Sequence, residues 1–242
     1  MSTTNGYHNH VRHYQADAAF KDYFAVNRFE EQNRRRRYEA LLNETELQDG
    51  ERVLEIGCGG SPLPRLWTGR DFRYVAVDIP LNNLQKLKTS ANRPMHLISG
   101  DIFKLPLQSA SMDVVVLSEI LEHLEEAVTA LKQVHTVLKE TGRLLLSVPY
   151  NETITYQLCV HCNKPTPTNA HFHSFDRETM DATLSMAGFH FAQYRYVNHK
   201  FADRLHFNLL AKGFSFGMWQ QMHRLFNRML FRPSHMIVAA RK

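Results

Sequence analysis

From residue 52 onward, short apolar runs alternate with amphipathic stretches. RVLEIG (52–57), YVAVD (74–78), MHLIS (95–99), DVVVLS (113–118) and RLLLSVP (143–149) are rich in branched aliphatic side chains. Runs of this length and texture read as strands buried on both faces. Helical patterns lie between them, around 62–68, 81–91 and 125–140, the last closed by Gly142 as a stop residue. This alternation predicts βαβ units and a parallel sheet. Asp176 reads as a helix N-cap, with Phe175 and Met180 placed as a hydrophobic staple, and that helix stops at Gly188. Two further strands follow, FHFAQYRYV (189–197) and HMIVAAR (235–241).

Three stretches stand outside the alternation. Residues 1–16 are polar and histidine-rich and read as a mobile arm, followed by one helical pattern from Asp17 to Asn43 anchored by Phe20, Tyr23, Phe24, Leu41 and Leu42. The run Arg34–Arg37 on that helix reads as a solvated face, with anion binding as the alternative. Segments 150–174 and 198–233 read as insertions at the sheet's edge, where an acceptor pocket or lid would sit. The second holds an amphipathic helix, MWQQMHRLFNRML (218–230), with Met218, Met222, Leu225 and Met229 along one stripe. Such a helix packs on the domain, or serves as a lid over a bulky, lipid-like acceptor or as an interfacial anchor. The implied organisation is an N-terminal arm with cap helices over 1–45 and one catalytic-type domain over 46–242 carrying both insertions.

Composition narrows the class. A chain of 242 residues with a formal charge of +5 is too mildly basic to imply nucleic acid by itself. It has no apolar run near 18 residues and no apolar segment near the N-terminus, so neither a membrane span nor a secretory signal is expected. Three cysteines, an odd number, argue against a disulfide framework and suit a reducing cytoplasm.

The candidate chemistry begins at VLEIGCGGSP (53–62), a strand running into a glycine turn and then a helix. As a nicotinamide-type fingerprint it fails, because Gly57 and Gly59 fit but Pro62 holds the third glycine position. Asp78 lies 21 residues past Gly57, where a carboxylate can bind a ribose diol. Glu55, inside the strand, would repel a pyrophosphate but suits an ammonium or sulfonium. Asp101, after the third strand, is placed to accept from an adenine amine.

VLEIGCG, VAVD, GDIFKLP, MDVVVLSEILEHL and VLKETGRLLLSVP, in this order and spacing, resemble the class I S-adenosylmethionine-dependent methyltransferases over about residues 50–190 and the final strand. The resemblance implies a Rossmann-like, doubly wound α/β fold: seven strands, mostly parallel with one antiparallel, and helices on both faces. It also implies a cofactor site in which Glu55 lies near the methionine ammonium, and Gly57, Cys58 and Gly59 line the loop. In that site Asp78 takes the ribose, Asp101 the adenine, Ile79 and Ile102 flank the ring, and Ser118 lies beside the cofactor. The departure Gly60-Ser61-Pro62, where many members keep another glycine, alters the loop's shape.

LSEILEHLEE (117–126) resembles the Glu-x-x-Glu-His segment of ubiquinone-pathway O-methyltransferases and small-RNA 2′-O-methyltransferases. The resemblance implies Mg²⁺ or Mn²⁺ on Glu119, Glu122 and His123, with His171 as the later histidine and His173 as its substitute. Oxygen and imidazole donors suit such ions. Without metal, His123 or His171 would act as general base. Cys159-x-x-Cys162 with His173 or His171 is a second possibility, a structural zinc site competing for His171. The expected activity is methyl transfer to a small-molecule acceptor at oxygen. An RNA ribose hydroxyl is the alternative acceptor, and a non-catalytic cofactor-binding scaffold the alternative class.

Overall fold

The computed structural model describes residues 9–67, 71–91, 93–160 and 162–242. Two N-terminal helices, α1 (His10–Phe20) and α2 (Arg28–Leu42), lead into β1 (Arg52–Ile56), α3 (Leu63–Leu66), β2 (Arg73–Asp78), α4 (Leu81–Ser90), β3 (Met95–Ser99) and β4 (Met112–Ser118). A 3₁₀ turn (Leu121–His123), α5 (Ala127–Val137) and β5 (Leu138–Pro149) follow, then a small hairpin of β6 (Tyr156–Leu158) and β7 (Pro165–Pro167). The chain closes with α6 (Arg177–Met186), β8 (Phe191–Val197), α7 (Lys200–Arg204), α8 (Phe207–Leu210), α9 (Phe216–Met229) and β9 (His235–Arg241).

The main sheet has seven strands in the order β3-β2-β1-β4-β5-β9-β8. Strands β1–β5 pair in parallel, and β9 runs antiparallel to both its neighbours. Alternation along each strand divides the core. Leu54, Ile56, Val115 and Leu117 pack beneath α5 and α6, while Val53, Tyr74, Val114 and Val116 face Tyr38 and Leu41 of α2. Four of the five apolar runs lie within strands, RVLEIG fills β1 as far as Ile56 with Gly57 in the turn beyond, and Asp176 caps α6 in a reciprocal box with Thr179.

Several expectations are corrected. The pattern from Asp17 to Asn43 is two helices, because Asn27 caps α2 by accepting from the amides of Phe29 and Glu30. Residues 9–20 form a cap and helix rather than an arm; residues 1–8 of that arm lie outside the described residues, as does position 68 of the helix expected over 62–68. Gly142 does not end α5. The helix stops at Val137, and Leu138 already pairs with Met112, ahead of a register shift that absorbs the intervening residues.

The arginine run is not one solvated face. Successive residues turn about 100° on a helix, so the four side chains leave in different directions. Arg34 donates to the carbonyls of Tyr23 and Gly60 at 2.9 and 2.7 Å. Arg36 is buried and donates to the carbonyls of Ala211 and Phe214 at 3.1 and 2.7 Å. Arg37 reaches Glu119, and only Arg35 faces solvent. Helix α2 thus ties the glycine loop, the rim after β4 and the 198–233 insertion together.

Candidate active site

The turns that follow β1, β2 and β3 meet at the carboxyl edge of the sheet. Gly57 sits at φ +69°, and a Cβ there would lie 2.2 Å from Ile120 Cδ1, so a side chain would be strained and would have to displace Ile120. Its amide donates to the Val77 carbonyl at 2.8 Å, holding the turn against β2. Asp78 Oδ2 accepts from the Gly59 amide at 2.9 Å and from Asn83 Nδ2 at 3.3 Å, with the Cys58 thiol at 3.7 Å. Burial raises the Asp78 pKa, and these donors offset part of the shift. Asp101 accepts from the Phe103 amide at 3.1 Å, and its other oxygen meets His10 Nε2 at 2.6 Å. Helix α1 therefore reaches across to the carboxylate expected to serve an adenine. Ile102 is buried, Ile79 half-buried, and Ser118 Oγ lies 3.0 Å from Ser147 Oγ.

Glu55 departs from its expected place. It is 1 % exposed, on the α2 face of β1, and accepts from Tyr38 at 2.5 Å and from Tyr74. Its carboxylate is enclosed by two phenols rather than open to this edge. Burial raises its pKa from 4.5 to about 7, against the hydrogen bonds from Tyr38 and Tyr74. The folded protein holds this proton more tightly than the unfolded chain. The stability it contributes is complete below about pH 4.5 and is lost as pH rises through about 7. Glu55→Gln is expected to flatten that dependence in urea titrations, and an unchanged slope in the variant would remove the assignment.

After β4 the chain turns sharply at Glu119, φ +57°, into the 3₁₀ turn. The Glu-x-x-Glu-His segment is thus not on one α-helical face, and its members part company. Glu119 accepts from Ser147 Oγ at 3.0 Å and faces His235 Nε2 at 3.3 Å and Arg37 Nε at 3.7 Å. Burial alone would raise its pKa, but the Arg37 and His235 charges hold it well below the usual carboxylate range. Glu122 instead joins His123 and His171, with one ligand-type atom of each within 4.8 Å of the others. Among the described residues, neither carboxylate oxygen of Glu122 has a hydrogen-bond partner. Burial and then the Glu119 charge push its pKa well up. Burial, reinforced by His171, lowers His123 to about 4. His123 Nδ1 lies 3.2 Å from the Ala170 carbonyl, and His171 Nδ1 lies 2.5 Å from Glu152.

The cysteine site does not assemble. Among the described residues, Cys159, Cys162 and His173 join no ligand group. The hairpin leaves Cys162 exposed near its tip, while His173 Nε2 is engaged at 2.8 Å by the Leu124 carbonyl. An opening of about 250 Å³ beside the rim is lined by His10, Tyr14, Phe103, His123, Leu124, Glu125 and Glu126. A larger hollow, about 520 Å³, follows β3 and is lined by Met95, His96, Leu97 and Ile98, away from this chemistry. No motif in the sequence assigned Tyr38, Tyr74, Arg37, Glu152 or His235 to the site. Only proximity in the fold shows them as partners of the site.

Residues 54–146 match the methyltransferase domain family. The chain is 29 % identical over 109 residues to a malonyl-[acyl-carrier protein] O-methyltransferase of Serratia marcescens, covering 45 % of this chain and 42 % of that protein. It is 27 % identical over 114 residues to a demethylmenaquinone methyltransferase of Staphylococcus epidermidis, covering 43 % and 46 %. These matches span about half the length of each relative. An S-adenosylmethionine-dependent methyltransferase of Mesorhizobium loti superposes with a TM-score of 0.60 over 86 % of this chain and 98 % of that one, at 15 % identity. Seven strands in this order, with β9 reversed, give this chain the fold of that solved methyltransferase, and its residues 54–146 match the methyltransferase domain family.

Proposed function

We propose that the protein transfers the methyl group of S-adenosylmethionine to an oxygen of a small-molecule acceptor. One observation carries the reading: the glycine loop with Asp78 and Asp101, and the Glu122–His123–His171 group, lie on turns at the same carboxyl edge of the sheet. In this reading Gly57, Cys58 and Gly59 admit the amino-acid end of the cofactor. Asp78 accepts from the ribose hydroxyls and Asp101 from the adenine amine, with Ile79 and Ile102 flanking the ring and Ser118 on the floor. Glu55 acts one layer deeper, bracing the loop through Tyr38 and Tyr74. Asp101 also meets His10, so a bound adenine would share that carboxylate with α1 or displace the contact.

The acceptor oxygen attacks the sulfonium methyl in line. A C–O bond would form as the C–S bond breaks, S-adenosylhomocysteine would leave, and the acceptor's hydroxyl proton would pass to solvent, while the residues contribute orientation. Glu122, His123 and His171 suit a divalent cation. Two buried carboxylate oxygens lack other partners, and both imidazoles have Nδ1 facing an oxygen, which leaves Nε2 to ligate. Mg²⁺ or Mn²⁺ held there would supply Lewis acidity to an acceptor hydroxyl. His123, held near 4, is already in the neutral form a ligand requires, whereas Glu122 would have to release its proton to bind the ion, so metal affinity should rise with pH. Calorimetry with Mn²⁺ is expected to find one site, weakened about 10–100-fold in His171→Ala. Turnover should be lost in EDTA and return with Mg²⁺ or Mn²⁺. Unaltered Mn²⁺ affinity in the variant, or indifference to chelation, rejects the metal.

The relatives' names point to carrier-borne or quinone-type acceptors. The same donor group would suit a ribose hydroxyl at an RNA end, and short-RNA binding that weakens steeply with salt would favour that acceptor. Release of S-adenosylhomocysteine with any acceptor rejects a non-catalytic scaffold.

A further inference from the structure

Helix α9 uses one face to hold itself in place and leaves a second apolar face without cover. Trp219 and His223 are buried and Phe226 half-buried, forming the packed stripe. About two-thirds of the way from that stripe toward the outward side come Met218, Leu225 and Met229, which are 53, 56 and 77 % exposed. Leu230, directly after the helix, is 47 % exposed. Arg224 and Arg228 are exposed on the next face round, so the outward side of the helix is apolar along one margin and cationic along the other.

No acid offsets this charge locally. The helix itself contains no Asp or Glu. From 199 to 232 there are six Lys or Arg and one acid, Asp203, which is engaged by Ser234. A surface that is apolar and uniformly cationic is complementary to an anionic, apolar-cored partner. Pairing two copies face to face would bring these arginines near their own kind with no carboxylate on α9 to receive them. At 14 residues the helix is about 21 Å long, and among the described residues no helix is long and apolar enough to cross a membrane.

We infer that α9 lies in the plane of an anionic lipid surface, with Met218, Leu225, Met229 and Leu230 entering the acyl boundary and Arg224 and Arg228 on the headgroups. Burial of those side chains and attraction of the cations act together, as interfacial helices require both. Each cation near such a surface contributes roughly fivefold in partition. Docking does not depend on methyl transfer, but it would bring the protein to acceptors that partition into lipid.

The test is co-sedimentation of the full chain with vesicles of phosphatidylcholine containing about 30 mol % phosphatidylglycerol, beside vesicles of phosphatidylcholine alone. Binding to the anionic vesicles is expected, with at least about tenfold less on neutral ones and a similar loss in about 0.5 M salt. The combined variant Met218→Ser, Leu225→Ser, Met229→Ser and the pair Arg224→Gln, Arg228→Gln should each lose about tenfold or more. Both should keep the wild-type circular dichroism and S-adenosylhomocysteine affinity, because the changed side chains point away from the core and the proposed site. Three results overturn the inference: no binding to anionic vesicles, undiminished binding by the serine variant, or light scattering that finds a dimer which the serine variant breaks. The last would make a second copy the partner. None of these results bears on S-adenosylhomocysteine binding, so the methyltransferase reading stands or falls separately.

Discussion

Asn208→Leu is expected to lower stability by about 3–5 kcal/mol, the largest effect of any single change away from the sheet. Asn208 is fully buried, and its amide is used at both ends. Nδ2 donates to Asn33 at 2.7 Å and to Asn198 at 3.2 Å, while Oδ1 accepts from the Trp219 indole at 2.6 Å and from His223 Nε2 at 3.1 Å. Leucine of similar volume fills the space but orphans a buried indole N–H and an imidazole nitrogen, each costing about 1–3 kcal/mol. These contacts join α2, α8 and α9, so the loss should appear as early loosening of the 198–233 segment before the sheet unfolds. Urea denaturation with hydrogen exchange resolves both stages. A loss below about 1 kcal/mol would mean that water repairs the site and that Asn208 is no anchor.

Asp78→Ala is expected to weaken S-adenosylhomocysteine binding by about 100-fold or more, read by calorimetry. The aspartate has two tasks in the proposed site: it accepts from the Gly59 amide, fixing the loop, and it offers acceptor capacity to a ribose. Folding stability should change far less than affinity, because Asp78 is a half-buried carboxylate whose raised pKa records a desolvation cost that the substitution relieves. Asp78→Asn keeps an oxygen for the loop while losing the charge, and should fall between the two. Affinity within about threefold of wild type in Asp78→Ala would place the ribose elsewhere and undo the assignment of the site. Gly57→Val is a companion change: with Ile120 Cδ1 2.2 Å from any Cβ and φ at +69°, the loop and Ile120 would have to move, and binding should be lost with it.

These two residues differ in how they could be found. Asp78 is legible from the sequence because a strand of known length ends there and the spacing from the glycine turn is set by one βα unit. Asn208 is not, since an asparagine in a one-turn helix carries no local sign of the distant partners that converge on it.

The same division runs through the whole molecule. Apolar runs bounded by turn residues were enough to locate β1–β5 and β9, because a parallel sheet buried on both faces needs continuous aliphatic segments. The Asp176 cap was readable because its partner is three residues away. Where a residue's partners come from distant segments, local pattern misled. Four consecutive arginines look alike in sequence, yet the fold sends three of them to the glycine loop, the 211–214 carbonyls and Glu119. Periodicity in α9 shows that faces differ, but the stripe of Met218, Leu225 and Met229 is the exposed one. Trp219 and His223 are buried because Asn208 waits beneath them. Glu119 and Glu122, three residues apart, were separated by a left-handed turn and by the side chains of Arg37 and His235, which approach from opposite ends of the chain. Local sequence determines secondary structure wherever hydrogen bonds and burial are settled within a few residues. Which polar groups meet, and therefore which can do chemistry, is decided only when the sheet brings distant segments to one edge.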